Sequence, residues 1–174
     1  YRFNVLKKLG FSPQVIYDVG SHIGEWTKEH KIIFPDAQFY LFEANEDHRQ
    51  YVDGPNVYYG LLGDTDGANI TYYKSTSGNI WWTTGNGIYK ENNAGGVIFN
   101  PIQLSTKTLD TIIHERNLPP PTLLKLDTQG SELYILHGAS KALTTVEIIL
   151  MEISLHRWNE GGPLIHDVIV ELDR

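Results

Sequence analysis

The stretch Val15-Ile16-Tyr17-Asp18-Val19-Gly20-Ser21-His22-Ile23-Gly24 decides how this chain is read. A short run of mostly apolar residues that ends in a glycine turn has the character of a buried strand followed by a tight reversal. From residue 23 to 33 the spacing turns helical, with Ile23, Trp26, His30 and Ile33 near one face and Pro35 just beyond. Strand, glycine turn and helix make the opening of a βα unit.

Working outward, residues 38–43 form a second strand ending in Glu43. Residues 56–62 read as a third that runs to Gly63-Asp64. Residues 70–74 alternate as a strand should. Residues 75–101 are rich in Ser, Thr, Asn and Gly and carry Trp81 and Trp82, the composition of a functional loop inserted in a compact unit. The βα pattern resumes with a helix at 109–116, the rigid Pro119-Pro120-Pro121 and a strand at 123–127. A helix over 131–137 with Ser131 as its cap, a strand at 147–153 and a helix at 163–172 complete the order. The expectation is an α/β fold with a mostly parallel sheet and flanking helices. It forms one domain over residues 1–174, with the polar insert at 75–101.

The bulk numbers exclude some function classes. A net charge of −7 is unlike the basic stripe that tracks phosphates, so no nucleic-acid partner is expected. With no cysteine there is neither a disulfide framework nor a thiolate metal site. The seven histidines show no His-x-x-x-His pair, and no metal is expected. No apolar run of membrane-spanning length and no basic-then-apolar leader is seen, so the chain reads as soluble and cytoplasmic.

In open α/β sheets, ligands sit beyond the carboxyl ends of the strands. The acids at or beside those ends are Asp18, Glu43, Asp64, Asp127 and Glu152. The Asp18-x-Gly20-x-x-x-Gly24 spacing is neither the Gly-x-Gly-x-x-Gly of dinucleotide binders nor a Walker loop. A strand-end carboxylate suits a sulfonium or amino group and repels phosphate. The loop is also compatible with an ordinary βα turn. Glu43 stands where related folds hold ribose hydroxyls, and a carboxylate accepts two hydrogen bonds from a vicinal diol. It reads equally as a solvated strand-end acid. Asp64 suits either an adenine amino group or the first position of the 64–67 turn. Asp127 suits either work on an acceptor or capping of the next helix.

The ordered set Asp18-Val19-Gly20-Ser21-His22-Ile23-Gly24-Glu25-Trp26-Thr27, Phe42-Glu43-Ala44-Asn45, Gly60-Leu61-Leu62-Gly63-Asp64 through Gly67, Thr108-Leu109-Asp110, Leu124-Lys125-Leu126-Asp127-Thr128-Gln129-Gly130-Ser131-Glu132-Leu133, Leu136-His137-Gly138-Ala139 and Leu150-Met151-Glu152-Ile153 resembles the FkbM-type S-adenosylmethionine-dependent methyltransferases. The resemblance covers most of the chain. It implies a class I methyltransferase, Rossmann-like fold and O-methylation of a sugar or another small hydroxyl-bearing acceptor. It also implies a cofactor loop of Asp18, Gly20, Ser21, His22, Ile23 and Gly24, a ribose contact at Glu43 and Ala44, an adenine-facing Gly63-Asp64 segment, and Asp127 at the cofactor. Two departures stand out. Gln129 occupies a position where the family commonly has Glu, and the sequence given ends at residue 174, before the two further strands that usually close this fold.

A hydroxyl acceptor needs a group to take its proton. Asp127, Glu152 and His156 are the candidates. Trp81 and Trp82 suit stacking on an acceptor ring or folding inward over the sheet edge. His22 reads as a tolerated exposed residue and Trp26 as core. Tyr58-Tyr59 and Tyr72-Tyr73 read as strand residues and not as a ligand cage. Two rival functions share these features: a nicotinamide-dependent sugar oxidoreductase and a non-catalytic cofactor-binding module. Tight NAD(H) binding would mark the first; cofactor binding without turnover would mark the second.

Overall fold

A computed structural model describes residues 2–92 and 95–173. Positions 93 and 94 of the expected insert, and Arg174 beyond the last helix, lie outside the described residues. In chain order the elements are helix α1 (Arg2–Lys8), strand β1 (Val15–Val19), helix α2 (Glu25–Ile33), strand β2 (Gln38–Glu43), a 3₁₀ turn at Glu46–Gln50, and strands β3 (Val57–Tyr59), β4 (Leu61–Leu62) and β5 (Asn69–Ser75). A 3₁₀ turn at Ile80–Thr83 precedes strand β6 (Phe99–Lys107), helix α3 (Leu109–Arg116), strand β7 (Leu123–Leu126), helix α4 (Glu132–His137), strand β8 (Ile148–Met151) and helix α5 (Ile165–Leu172).

Five strands form a central sheet in the order β3-β2-β1-β7-β8, with every pairing parallel. The order reverses direction between β1 and β7, which opens a crevice at their carboxyl ends. Alternation along the strands explains the two cores. Val15, Tyr17 and Val19 of β1 join Tyr40, Phe42, Leu124 and Leu126 on one face, under Leu109, Ile135 and Leu136. Ile16, Phe39, Leu41 and Leu123 fill the other face against Phe3 and Phe34. Both faces are covered, so these strands read as nearly continuous apolar runs. Trp26 packs against the second cluster, as expected of a core residue.

Several boundaries differ from the sequence reading. The third strand is split at Gly60, whose φ of 150° favours glycine. Gly60 still donates to Glu43 O at 2.9 Å, continuing the β2 ladder, and the chain then turns so that β4 joins a second sheet, β4-β6-β5. Strand β6 was hidden in the sequence by Pro101 and its polar neighbours. Pro101 pairs with Tyr73 of β5, while β4 reaches only Thr106 and Lys107, so Pro101 sits where β6 has an open edge and no donor is needed there. The β5–β6 ladder runs antiparallel from Asn69↔Ser105 to Ser75↔Phe99, and the insert loops out between those last partners. Ser131 precedes α4 without a side-chain cap; its hydroxyl donates to Thr128 O at 3.1 Å instead. Pro163 lies two residues before α5 and not within its first turn. Among the described residues, no helix is long and apolar enough to cross a membrane.

Candidate active site

The carboxyl ends of β1, β2 and β7 open into a cleft enclosing about 850 Å³, its mouth included. Its floor is Val19, Gly20 and Phe42, and one side is the backbone of 60–62. The roof comes from outside the central sheet: Tyr72 of β5, then Trp81, Thr83, Thr84 and Asn86 of the insert. A crevice that sets several polar side chains around an apolar floor, at the carboxyl edge of a parallel sheet, has the form of a small-molecule site.

Gly20 explains how β1 and β7 come so close at this end. With φ at 72°, its missing side chain leaves room for the carbonyl of Asp127; a Cβ there would stand 1.8 Å from Asp127 O. Gly20 and Ser21 both donate backbone N–H groups to Phe42 O, at 2.9 and 3.1 Å, so the loop extends the β1–β2 ladder to the cleft. Gly24, at φ 77°, ends the loop and starts α2.

Asp18 does not face the cleft. It is fully buried, accepts from Lys125 Nζ at 2.9 Å and from Thr27 Oγ1 at 2.6 Å, and lies opposite Lys125 in the β1–β7 register. Lys125 also donates to Gly20 O at 2.9 Å, so this buried pair fixes the glycine loop from below. The carboxylate is therefore spent on the protein, and its bearing on a ligand is through loop position.

Glu43 does face the cleft. His22 N donates to its Oε2 and Asn45 N to its Oε1, each at 2.8 Å. A carboxylate has roughly four acceptor directions, so Oε2 keeps about one for a ligand hydroxyl, while Oε1 also faces His48. Behind it, His48 Nδ1 stands 3.4 Å from Oε1. Asn45 Oδ1 accepts from Asp47 N at 3.3 Å, which orients its Nδ2 toward His48 Nε2 at 3.0 Å. With Nε2 accepting, the network assigns the proton of neutral His48 to Nδ1, toward Glu43.

His22 is not an exposed, tolerated residue. It is half-buried at φ 50°, its ring edge-on to His48 at 4.5 Å, and its Nε2 lies 2.9 Å from Thr83 Oγ1 and 3.2 Å from Ile80 O. Burial first, and His48 second, push its pKa below the usual histidine value. Thr83 Oγ1 is also 3.0 Å from His48 Nε2.

Ile23 is half-buried beside this loop, and Ala44 lines the cleft next to Glu43. The Gly63-Asp64 segment lies elsewhere. Gly63 donates to Lys107 O at 3.0 Å and abuts Thr106 and Gly138, while Asp64 is exposed. The split at Gly60 is the reason: it brings Gly60, Leu61 and Leu62 to the cleft and carries 63–64 past it. Tyr72 is a strand residue and a cleft residue at once, with its hydroxyl pKa raised by burial and by Glu43.

At the other end, Asp127 lines the cleft with its side chain 44% exposed and its Oδ2 3.4 Å from Lys125 Nζ. It does not cap α4; Glu132 Oε1 instead accepts from Thr128 N at 2.7 Å, in the loop before that helix. Glu152 stands beside Asp127 and accepts from Gln129 Nε2 at 2.8 Å. Partial withdrawal from water, together with the Asp127 carboxyl close enough to share a proton, pushes Glu152 up to about 7. Gln129 is held at φ 56°, and its carbonyl accepts from Asn159 Nδ2 at 3.1 Å. His156 is exposed and outside the cleft lining. Trp81 and Trp82 do not fold inward: they are 57% and 46% exposed, and Trp81 rims the cleft.

Among the described residues, the buried side-chain polar atoms without a hydrogen-bond partner are Ser21 Oγ, His48 Nδ1 and Asn86 Nδ2. Ser21 lies in the glycine loop, and the other two residues line the cleft. Asn86 Nδ2 approaches the Tyr72 hydroxyl without completing a bond. Unpaired buried polar atoms are costly and rare; Ser21 lies outside the cleft lining and His48 Nδ1 is turned to Glu43, so Asn86 Nδ2 is the one at the cleft itself. A nucleoside, with a diol for Glu43 and a flat apolar ring for the walls, matches this donor and acceptor set.

A family model described as the methyltransferase FkbM domain matches residues 18–174. The hexuronic acid methyltransferase AglP of Haloferax volcanii is 28% identical over 149 residues, covering 80% of this chain and 55% of AglP. The chain thus spans about half the length of that curated relative. The crystal structure of methyltransferase FkbM from Methylobacillus flagellatus aligns at a TM-score of 0.42 and 18% identity, over 76% of this chain and 30% of that one.

Proposed function

Because this chain belongs to the FkbM methyltransferase family, we propose that it moves a methyl group from S-adenosylmethionine to a hydroxyl of a sugar or similar small acceptor. One observation carries the reading: Glu43, held by two backbone N–H groups at the lip of the cleft, keeps an acceptor direction on Oε2 facing a ligand. The likeness to a hexuronic acid methyltransferase favours a sugar as acceptor. The match from residue 18 to 174 favours one domain with the insert as part of it.

The cofactor supplies an electrophilic methyl on a sulfonium, an in-line displacement for which positioning is most of the catalysis. On this reading Glu43 binds the ribose diol, Gly20 lets the backbone approach, and Phe42, Leu62 and Ile135 give the base an apolar slot. Asp127 and Glu152 stand at the acceptor end. As the acceptor oxygen gains its methyl, its proton passes to this carboxyl pair, and Gln129 holds Glu152 in place through one oxygen. A group poised near neutrality is suited to that exchange.

Calorimetry with S-adenosylhomocysteine and with NAD(H) tests the reading. Binding of the first and not the second is expected. NAD(H) binding alone would replace it with the oxidoreductase. Product formation across a panel of hydroxyl acceptors, read by mass spectrometry, separates an enzyme from a binding module.

A further inference from the structure

The insert meets the cofactor loop at one side chain. Thr83 Oγ1 donates to Ile80 O at 2.6 Å, fixing its own 3₁₀ turn; with that proton committed it accepts from His22 Nε2 at 2.9 Å, while His48 Nε2, which already accepts from Asn45 Nδ2, packs beside it at 3.0 Å. The two rings come from different βα connections, His22 from the loop after β1 and His48 from the turn after β2, and both lean on Glu43. His22 does so through its backbone N–H and His48 through Nδ1. The turn held there is also the roof: Trp81, Thr83 and Thr84 all line the cleft. A single hydroxyl thus joins the roof to His22, whose backbone N–H sets the Glu43 carboxylate, with His48 packed alongside.

We propose that Thr83, held by the His22 ring with His48 packed beside it, is a latch that closes residues 80–84 over the cleft and fixes Glu43 for its ligand, so that ligand retention depends on the roof staying docked. This rests on the reading that the cleft takes an adenosine-type ligand. Thr83 and His48 are positioning residues here, acting on the ligand through Glu43 and through closure. Leaving the roof docked keeps His22 half-buried beside His48, with Glu43 and Glu25 the nearest acids and no ionisable group on the 80–84 turn itself. Undocking returns the ring to water, where it protonates more readily. Acid therefore favours the open form, starting as pH falls below the ordinary histidine value of about 6.5 and continuing to the lowered value of the docked ring.

The test uses Thr83→Val, which removes the hydroxyl and little volume, and Thr83→Ser, which restores it. Ligand-free hydrogen–deuterium exchange over residues 79–87 at pH 8, corrected for intrinsic rates, reads docking without any cofactor. S-adenosylhomocysteine calorimetry at pH 8 and pH 5.5 reads retention. Thr83→Val is expected to raise exchange and to weaken binding by about 5- to 10-fold, the worth of one hydrogen bond. Thr83→Ser is expected to behave as the native chain. Affinity of the native chain is expected to fall from pH 8 to pH 5.5, and the fall to shrink in Thr83→Val. Exchange and pH dependence that are the same in Thr83→Val and native protein would overturn the latch. A native chain that binds no S-adenosylhomocysteine, yet shows the exchange difference, would overturn the cofactor reading and leave the latch standing.

Discussion

Asp18 and Lys125, 107 positions apart in sequence, face each other across β1 and β7 with Nζ 2.9 Å from Oδ1, and both side chains are withdrawn from water. Removing one partner strands the other's charge in an apolar layer, a loss of about 3–5 kcal/mol. Lys125→Met is therefore expected to lower stability by that order in denaturant unfolding. Asp18→Asn combined with Lys125→Met should recover part of it, because no unpaired charge is then left. Since Lys125 also holds Gly20 O, the single variant should loosen the glycine loop and weaken ligand binding as well.

Glu43→Gln keeps the shape of the side chain but removes its charge and one acceptor oxygen. Hydrogen bonds to charged groups contribute about 1.5–3 kcal/mol, so S-adenosylhomocysteine affinity should drop roughly 10- to 100-fold. Calorimetry alongside a thermal melt separates this from unfolding. Unchanged affinity would remove Glu43 from the ribose role.

Gly20→Ala forces a Cβ onto Asp127 O in a backbone conformation that L side chains avoid. The β1 and β7 ends must part to admit it. Strain of this kind costs about 1–3 kcal/mol before any clash is counted, so a lower melting temperature with weakened ligand binding is expected.

Glu152, pushed up to about 7, gives a pH dependence with a definite sign. As the proton-accepting group it must be ionised, so methyl transfer should rise with pH through about 7 and level above it. Glu152→Gln should lower kcat and flatten that limb. Stability runs the other way: the folded state holds this proton more tightly than the unfolded chain does, so the contribution is present below the ordinary glutamate range and is lost as pH rises through about 7. Because the side chain is exposed, that stability effect should be small beside the kinetic one.

The strands that build the crevice were legible because they carry local signals. Residues 15–19, 38–43 and 123–126 are apolar runs that end at a glycine or an acid, and the spacing from Asp18 to Gly24 marked the loop. What the sequence hid depends on distant partners. Nothing near Asp18 announces that Lys125 will neutralise it, and nothing near His48 says that Thr83 will meet it 35 positions later. Asn45-x-x-His48 directly after Glu43 was the one local trace of that cluster. Gly63-Asp64 was placed at the ligand because residues 56–62 read as one strand, whereas Gly60 redirects the chain between two sheets. Pro101 suppressed β6 for a related reason, since a proline is tolerated at an open edge but argues against a strand when its neighbours are unseen.

The pairing of Ser75 with Phe99 has a practical meaning for diversification. Partners in a ladder lie about 5 Å apart, so the insert leaves and re-enters the sheet at nearly the same point. Its length and composition can be exchanged between one cross-strand pair without shifting register in either strand. A library built there that keeps the Ile80–Thr83 turn against His22 would sample new roofs for the cleft while the parallel sheet stays as it is.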